Sequence, residues 1–150
     1  RCVILGLETE RGRVMVREIV HDPMFLQRKS DDATQADLQT AQDLLDTLRA
    51  NFDRCVGMAA NMIGVAKKII AINDNGKYLV MFNPEIISKF GEFETEEGCL
   101  SLDGERKTVR YKTIKVKYFN ENFKQIKRSF SDFTAQIIQH EIDHCNGILI

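Results

Sequence analysis

His140 and His144 constrain this chain more than any other residues, because they stand four apart in Gln139-His140-Glu141-Ile142-Asp143-His144. In a helix that spacing places both imidazoles on one face, one turn apart, where they can reach a single metal ion. Glu141 puts a carboxylate beside the first histidine, as a general base for a water at that metal, the arrangement of metal-dependent hydrolysis. The chain has only three histidines in 150 residues, and two fall within this hexapeptide. A third ligand is required. After His144 come only Cys145, Asn146, Gly147, Ile148, Leu149 and Ile150, and Cys145, about 100° further round the helix, points away. The third ligand is therefore expected from upstream, and the chain must fold back onto this helix. A conventional metalloprotease, which takes that ligand from downstream, is disfavoured. A purely structural zinc site gives Glu141 no purpose.

Cys99, in Glu97-Gly98-Cys99-Leu100-Ser101, is the leading candidate. A thiolate is a strong ligand, and Gly98 lets the backbone approach a crowded site. A lone cysteine is more often a small buried hydrophobe, so Cys55 and His21 stay open as alternatives.

The surrounding patterns describe a mixed fold. From Asp31 to Asp53 a helix is predicted, with Leu38, Ala41, Leu45, Leu48 and Phe52 on one stripe and a Thr34–Asp37 capping box. Lys68–Ile72 and Tyr78–Phe82 are β-branched and aromatic runs flanking Asn73-Asp74-Asn75-Gly76, a hairpin signal, with Pro84 following at a strand edge. Further strands are predicted at Glu92–Glu96, Val109–Phe119 and Phe123–Phe130. In the second of these, Ile114, Val116 and Tyr118 alternate with polar residues. A second helix fits Asp132–Cys145, capped by Ser131 or Asp132 and stopped at Asn146-Gly147. The expected architecture is α+β: one domain of antiparallel β-sheets around a C-terminal metal-binding helix, with an N-terminal helix.

Composition sets the outer limits. A chain of this length buries roughly two-thirds of its unfolded surface and needs no staples. With 21 basic against 22 acidic residues, nothing suggests a membrane or a specific nucleic-acid partner. No apolar run approaches the ~18 residues of a membrane-spanning helix. Cys2, Cys55, Cys99 and Cys145 show no clustered spacing, which reads as reduced thiols in an intracellular protein. Gly104–Arg128 carries nine Lys or Arg against Glu105 and Glu121, and a solvated strand face accounts for it better than an anionic docking surface. Residues 1–14 differ in character from the chain beginning at Met15 and read as an upstream extension or expression remnant, leaving 15–150 as the domain.

Taken together, three segments resemble the peptide deformylase family, whose members carry G-Φ-G-Φ-A-A-x-Q, E-G-C-L-S and Q-H-E-x-D-H-x-x-G, where Φ is apolar. The second is present as Glu97–Ser101 and the third as Gln139–Gly147. The first is altered, as Cys55-Val56-Gly57-Met58-Ala59-Ala60-Asn61-Met62. The resemblance covers roughly Met15 to the end. Family members commonly continue past the third motif, so a truncated or short form is expected.

The resemblance implies that Cys99, His140 and His144 bind one divalent metal, typically Fe²⁺, with Zn²⁺ or Ni²⁺ often in its place. It implies that Glu141 takes a proton from water and delivers one to the leaving amine, and that the Leu100 N–H helps hold the oxyanion. Gly57 keeps the first motif open to the substrate peptide. The activity implied is removal of the formyl group from formyl-methionyl nascent polypeptides in the bacterial cytoplasm, with transient ribosome association in prospect. Two departures bear on this. The oxyanion-donating glutamine of the family falls on Met62, which cannot donate, and such a loss costs roughly 10²–10³ in rate. The first glycine falls on Cys55. Asn61 carries an amide one position earlier, but in an extended segment it faces the other way. The alternative is therefore a metal- and peptide-binding relative with weak or altered activity. Ile137 and Phe133 are candidates for an apolar methionine pocket, with Phe133 expected rather in the core.

Overall fold

The computed structural model describes residues 4–9 and 12–150, with side-chain surroundings from Val14 onward. In chain order the elements are β1 (Ile4–Thr9), β2 (Gly12–Arg17), the one-turn helix α1 (Pro23–Leu26), α2 (Leu38–Ala50), β3 (Gly57–Ala59), β4 (Ile69–Asp74), β5 (Lys77–Cys99), β6 (Leu102–Phe119), β7 (Gln125–Ser131) and α3 (Asp132–Cys145). β1 and β2 form a hairpin that runs across the position after residue 14, and β3 to β7 form an antiparallel meander in sequence order.

The apolar run Ile69-Ile70-Ala71-Ile72 is buried throughout because β4 is covered on both faces. Ile69 and Ala71 join Leu44 and Leu48 of α2 in one core, while Ile70 and Ile72 join Ile138 and Ile142 of α3 in the other. Asn75 and Gly76, with φ of 51° and 95°, make the two-residue turn into β5, matching the hairpin signal. The result is a single α+β domain in which one helix lies on each side of the sheet.

The first long helix departs from its prediction. A 3₁₀ turn at Gln35–Asp37 carries the Thr34–Asp37 capping box, and the α-helix begins only at Leu38. Its buried stripe is Ala41, Leu44 and Leu48, whereas Leu38 and Phe52 are exposed. The two end residues lie in the first turn and beyond the last. The adjoining polar stripe is buried as well, because β2 needs acceptors: Asp46 accepts from Met15 N–H at 3.1 Å, Thr47 Oγ1 from Arg17 N–H at 2.9 Å, and Asp43 from the Arg17 guanidinium at 2.8 Å.

The strands at Tyr78–Phe82 and Glu92–Glu96 prove to be one continuous β5. Pro84 does not end it. It sits with Asn83 inside the first of two bulges, the register shift between Phe82 and Glu85 that precedes a second between Ile86 and Ser88, where the ladder demands no N–H. Asn83 adopts φ 52° there and clamps the Ala33 backbone with both ends of its amide, at 2.7 and 3.0 Å. Bulges bend a strand pair, and the distal half of the β5–β6 hairpin lies against α3, where the Gln139 amide bonds both N–H and C=O of Tyr111 at 2.9 and 2.8 Å. In β6, Ile114, Val116 and Tyr118 point inward as predicted. Phe123 lies in the β6–β7 turn with φ 54° rather than in a strand. Helix α3 ends as expected: Gly147, at φ 74°, donates to His144 O, and Ile148 N–H donates to Asp143 O, the paired bonds of a Schellman cap.

Candidate active site

Cys99 is the last residue of β5 and pairs with Leu102 across the two-residue turn Leu100-Ser101. That turn delivers its thiol to the face of α3 that carries both histidines. Cys99 Sγ lies 3.3 Å from His144 Nε2, and the two Nε2 atoms lie 3.2 Å apart. All three donor atoms fall within 4.8 Å of one another. Two imidazole nitrogens on one tetrahedral ion sit about 3.3 Å apart, and a thiolate sulfur about 3.6 Å from each. The donor set therefore fits one divalent metal. The other open candidates are committed to other partners: His21 Nδ1 donates to Ser101 O at 2.9 Å, and Cys55, which lines the same cleft, donates from Sγ to Gly57 O at 2.8 Å. Cys55, Cys99 and Cys145 are free thiols, and burial pushes Cys55 and Cys145 up to about 12. Cys2 lies outside the described residues.

The orientation of His140 comes from Glu97. Its Nδ1 bonds Glu97 Oε1 at 2.9 Å, which leaves Nε2 directed at the shared point, as a metal-binding histidine requires. Glu97 is held in turn by Arg110, through Nε at 3.0 Å and a terminal nitrogen at 2.7 Å, and by the Gln136 amide at 2.8 Å. Arg110 also bonds Asp143 at 2.8 Å. Burial works against the Glu97 carboxylate, yet the bonds from His140, Arg110 and Gln136 outweigh it and hold the group at about 2. Burial likewise disfavours the His140 imidazolium, but its bonds to Cys99 and Glu97 raise it to about 10. Burial, and then the charge on His140, keep His144 down at about 3. A dication bound by these nitrogens would compete with protons for the same point. Arg110 belongs to this buried network and not to the solvated basic strip, whose exposed members include Lys112, Lys115, Lys124, Lys127 and Arg128.

The site opens into a cleft of about 490 Å³ lined by Gly57, Met62, Cys99, Leu100, Ile137 and Glu141, among others. Glu141 is buried, its Oε1 has no hydrogen-bond partner, and burial lifts its carboxyl to about 7. An unpaired buried carboxylate oxygen facing a cleft is a ready acceptor for a proton. A Cβ on Gly57 would come within 2.6 Å of Ile137 Cγ2 and 2.9 Å of Glu141 Oε2, so glycine is what lets β3 abut α3 here. Met62 lines the wall with 1% exposure. Phe133, expected in the core, is 60% exposed at the cleft rim, because α3 has only just left the sheet at Asp132.

Asn61 corrects one reading in its reason. The segment Ala60–Ile63 is a 3₁₀ turn and not extended, and the Asn61 amide donates to His144 O at 2.9 Å. It is spent on holding a histidine and does not replace the missing glutamine. Glu97, Arg110, Gln136 and Asp143 had no role in the sequence reading, and Asn61 was weighed there only as a doubtful donor to the oxyanion. Glu97 and Asp143 carried a signal, as motif carboxylates two residues from Cys99 and next to His144.

Comparison with known proteins agrees with this geometry. The family model described as Polypeptide deformylase matches residues 16–150. A peptide deformylase of Clostridium beijerinckii is 53% identical over 136 residues, covering 91% of this chain and 100% of that protein. One from Pseudothermotoga lettingae is 40% identical over 90% of this chain and 81% of that protein. A crystal structure of a peptide deformylase from Legionella pneumophila superposes with a TM-score of 0.81 at 37% identity, covering 89% of this chain and 83% of that one. A class I type b enzyme from Acinetobacter baumannii, bound to Met-Ala-Ser, gives 0.79 at 28% identity over 87% and 94%. Identity on this scale over whole proteins disfavours the alternative of a relative with altered activity. The bent hairpin, the helix it clasps and the thiolate–imidazole cluster between them make this chain a metallohydrolase of the peptide deformylase family.

Proposed function

We propose that this enzyme hydrolyses the N-formyl group of formyl-methionyl nascent peptides in the cytoplasm, with Cys99, His140 and His144 as ligands of one Fe²⁺ that Zn²⁺ or Ni²⁺ can replace. The observation that carries the reading is the convergence of Cys99 Sγ and the two Nε2 atoms on one point, with Cys99, His140 and Glu141 lining the same cleft and Glu141 Oε1 unpaired. When bound, the ion supplies Lewis-acid polarisation and lowers the pKa of water to near neutrality. Glu141 accepts the proton of the attacking water at Oε1 and passes one to the leaving amine. The Leu100 N–H, at the hairpin tip, donates to the oxyanion. Gly57 gives the peptide room beside Glu141, and Ile137 and Met62 supply the apolar walls that suit a methionine side chain. Residues 15–150 are the functional unit. The exposed lysines of Gly104–Arg128 offer an electrostatic footing for transient contact with the ribosome, whose surface is rich in phosphate.

The test pairs two variants. Cys99→Ala is expected to lose the bound metal measured by elemental analysis. Glu141→Gln is expected to keep the metal and to lose release of formate from formyl-Met peptides. Undiminished metal in the first, or undiminished turnover in the second, refutes the corresponding role.

A further inference from the structure

The segment Val20–Asp22 spans the two walls of the cleft. Val20 N–H donates to Met62 O at 2.8 Å, on the first motif, and the next side chain, His21, reaches the second motif, where its Nδ1 lies 2.9 Å from Ser101 O. A carbonyl only accepts, so Nδ1 is the protonated nitrogen. The root of His21 is fixed from both sides. Asp22 caps α1, accepting from Met24 N–H at 3.0 Å, Pro23 stands in the first turn, and Leu26 is fully buried. The residue that His21 grips by its carbonyl also has its own N–H, in the preceding peptide group, directed at the candidate metal site: Ser101 N–H points to Cys99 Sγ at 3.4 Å. Ser101 itself is buried, and no other hydrogen bond to its carbonyl is present among the described residues.

We propose that His21 is a positioning residue for the Cys99–Ser101 turn. By pinning Ser101 at its carbonyl, it restrains the backbone torsions of the two-residue turn, and through them the Ser101 N–H against the thiolate and the Leu100 N–H one peptide further back. The proposal rests on the reading of Cys99 as a metal ligand. With Met62 unable to donate, the Leu100 N–H carries more of the oxyanion than it would beside a second donor, so the setting of this turn matters more in this chain. Partners that orient a ligand from one step away typically govern about 10- to 100-fold in metal affinity or activity.

Two substitutions separate this role from simple packing. His21→Asn keeps an N–H donor at the same number of bonds from Cα and removes the ring. His21→Phe keeps a ring and removes the donor. With each protein loaded with Co²⁺, the thiolate-to-cobalt charge-transfer absorption reports the hydrogen bond to Cys99 Sγ independently of turnover. The expected result is a shifted band and a kcat lower by about 10- to 100-fold in His21→Phe, with KM unchanged, and a near-wild-type band and kcat in His21→Asn. Matching thermal melts for the three proteins exclude loss of fold as the cause. A wild-type band and kcat in His21→Phe overturn the proposal, as does an Asn variant as impaired as Phe. Absence of the band from the wild-type protein itself overturns instead the assignment of Cys99 as ligand, and this proposal with it.

Discussion

Glu97 joins the metal-binding helix to the hairpin that covers it, and replacing it isolates the energy of that joint. Its side chain is 7% exposed and that of Arg110 is 5% exposed, so solvent screens their interaction little. Burial opposes the charge, but the bonds from His140, Arg110 and Gln136 hold the carboxyl at about 2 instead of the ordinary 4.5. A carboxyl so depressed stabilises the fold by about 3 kcal/mol at neutral pH. A second route gives a similar figure: removing one partner of a buried ion pair costs about 3–5 kcal/mol, because the other charge is left uncompensated. Glu97→Gln removes the charge and keeps the volume, so no cavity term enters. The stability attached to Glu97 is fully present above its unfolded value of about 4.5 and is lost as pH falls through about 2. Urea unfolding of chelator-treated wild type and Glu97→Gln is therefore expected to differ by about 3 kcal/mol at pH 7 and by less than half as much at about pH 3. Thermal unfolding at pH 7 should fall by roughly 6–12 °C for a domain of this size. A difference below about 1 kcal/mol at pH 7, or one that does not shrink in acid, refutes the reasoning.

Two further substitutions probe the cleft. Gly57→Ala drives a methyl into Ile137 and the Glu141 carboxylate, and overpacking of this kind costs about 1–3 kcal/mol. Displacement of Glu141 should lower turnover about 100-fold, measured as formate release, and unchanged turnover would show that the helix yields without moving the carboxylate. Met62→Gln puts an amide on the cleft wall in a side chain of similar length and should raise kcat by up to about 10²–10³. An unchanged rate would mean that the oxyanion needs no donor from this position.

The parts legible in the sequence are those set by local spacing. The i, i+4 histidines, the Asn-Gly turn and the Asn146-Gly147 stop each depend on a few neighbouring residues, and each stands where the pattern put it. Predictions failed where a distant element decided the outcome. Leu38 and Phe52 continue the apolar spacing of α2 but stand at its first residue and beyond its last, where they are exposed, and β2 claims Asp43, Asp46 and Thr47 instead. Pro84 is a strand breaker in most settings, and here a bulge with Asn83 tied to Ala33 absorbs it.

The same distinction explains why the candidate donor set could be picked out in the sequence while its supports could not. Cys99, His140 and His144 are chemically distinctive, and few roles suit two histidines one helical turn apart. Glu97 and Arg110 are ordinary charged residues in a stretch rich in both signs, thirteen apart in the chain. Glu97 faces Arg106 across the ladder, and Arg110 faces Phe93, so the Arg110 side chain must lean along the strand towards the tip to reach Glu97. That reach depends on the register of β5 against β6, which slips at two bulges and again between Gly98 and Cys99. A shift of one residue in this register would turn Arg110 to the other face, taking its charge away from Glu97 and Asp143 together. The bulges that bend the hairpin over α3 therefore also set which arginine steadies the carboxylate behind His140. The candidate metal site is thus tied to the strand pairing through Glu97, and the register matters to it as much as the donor residues themselves.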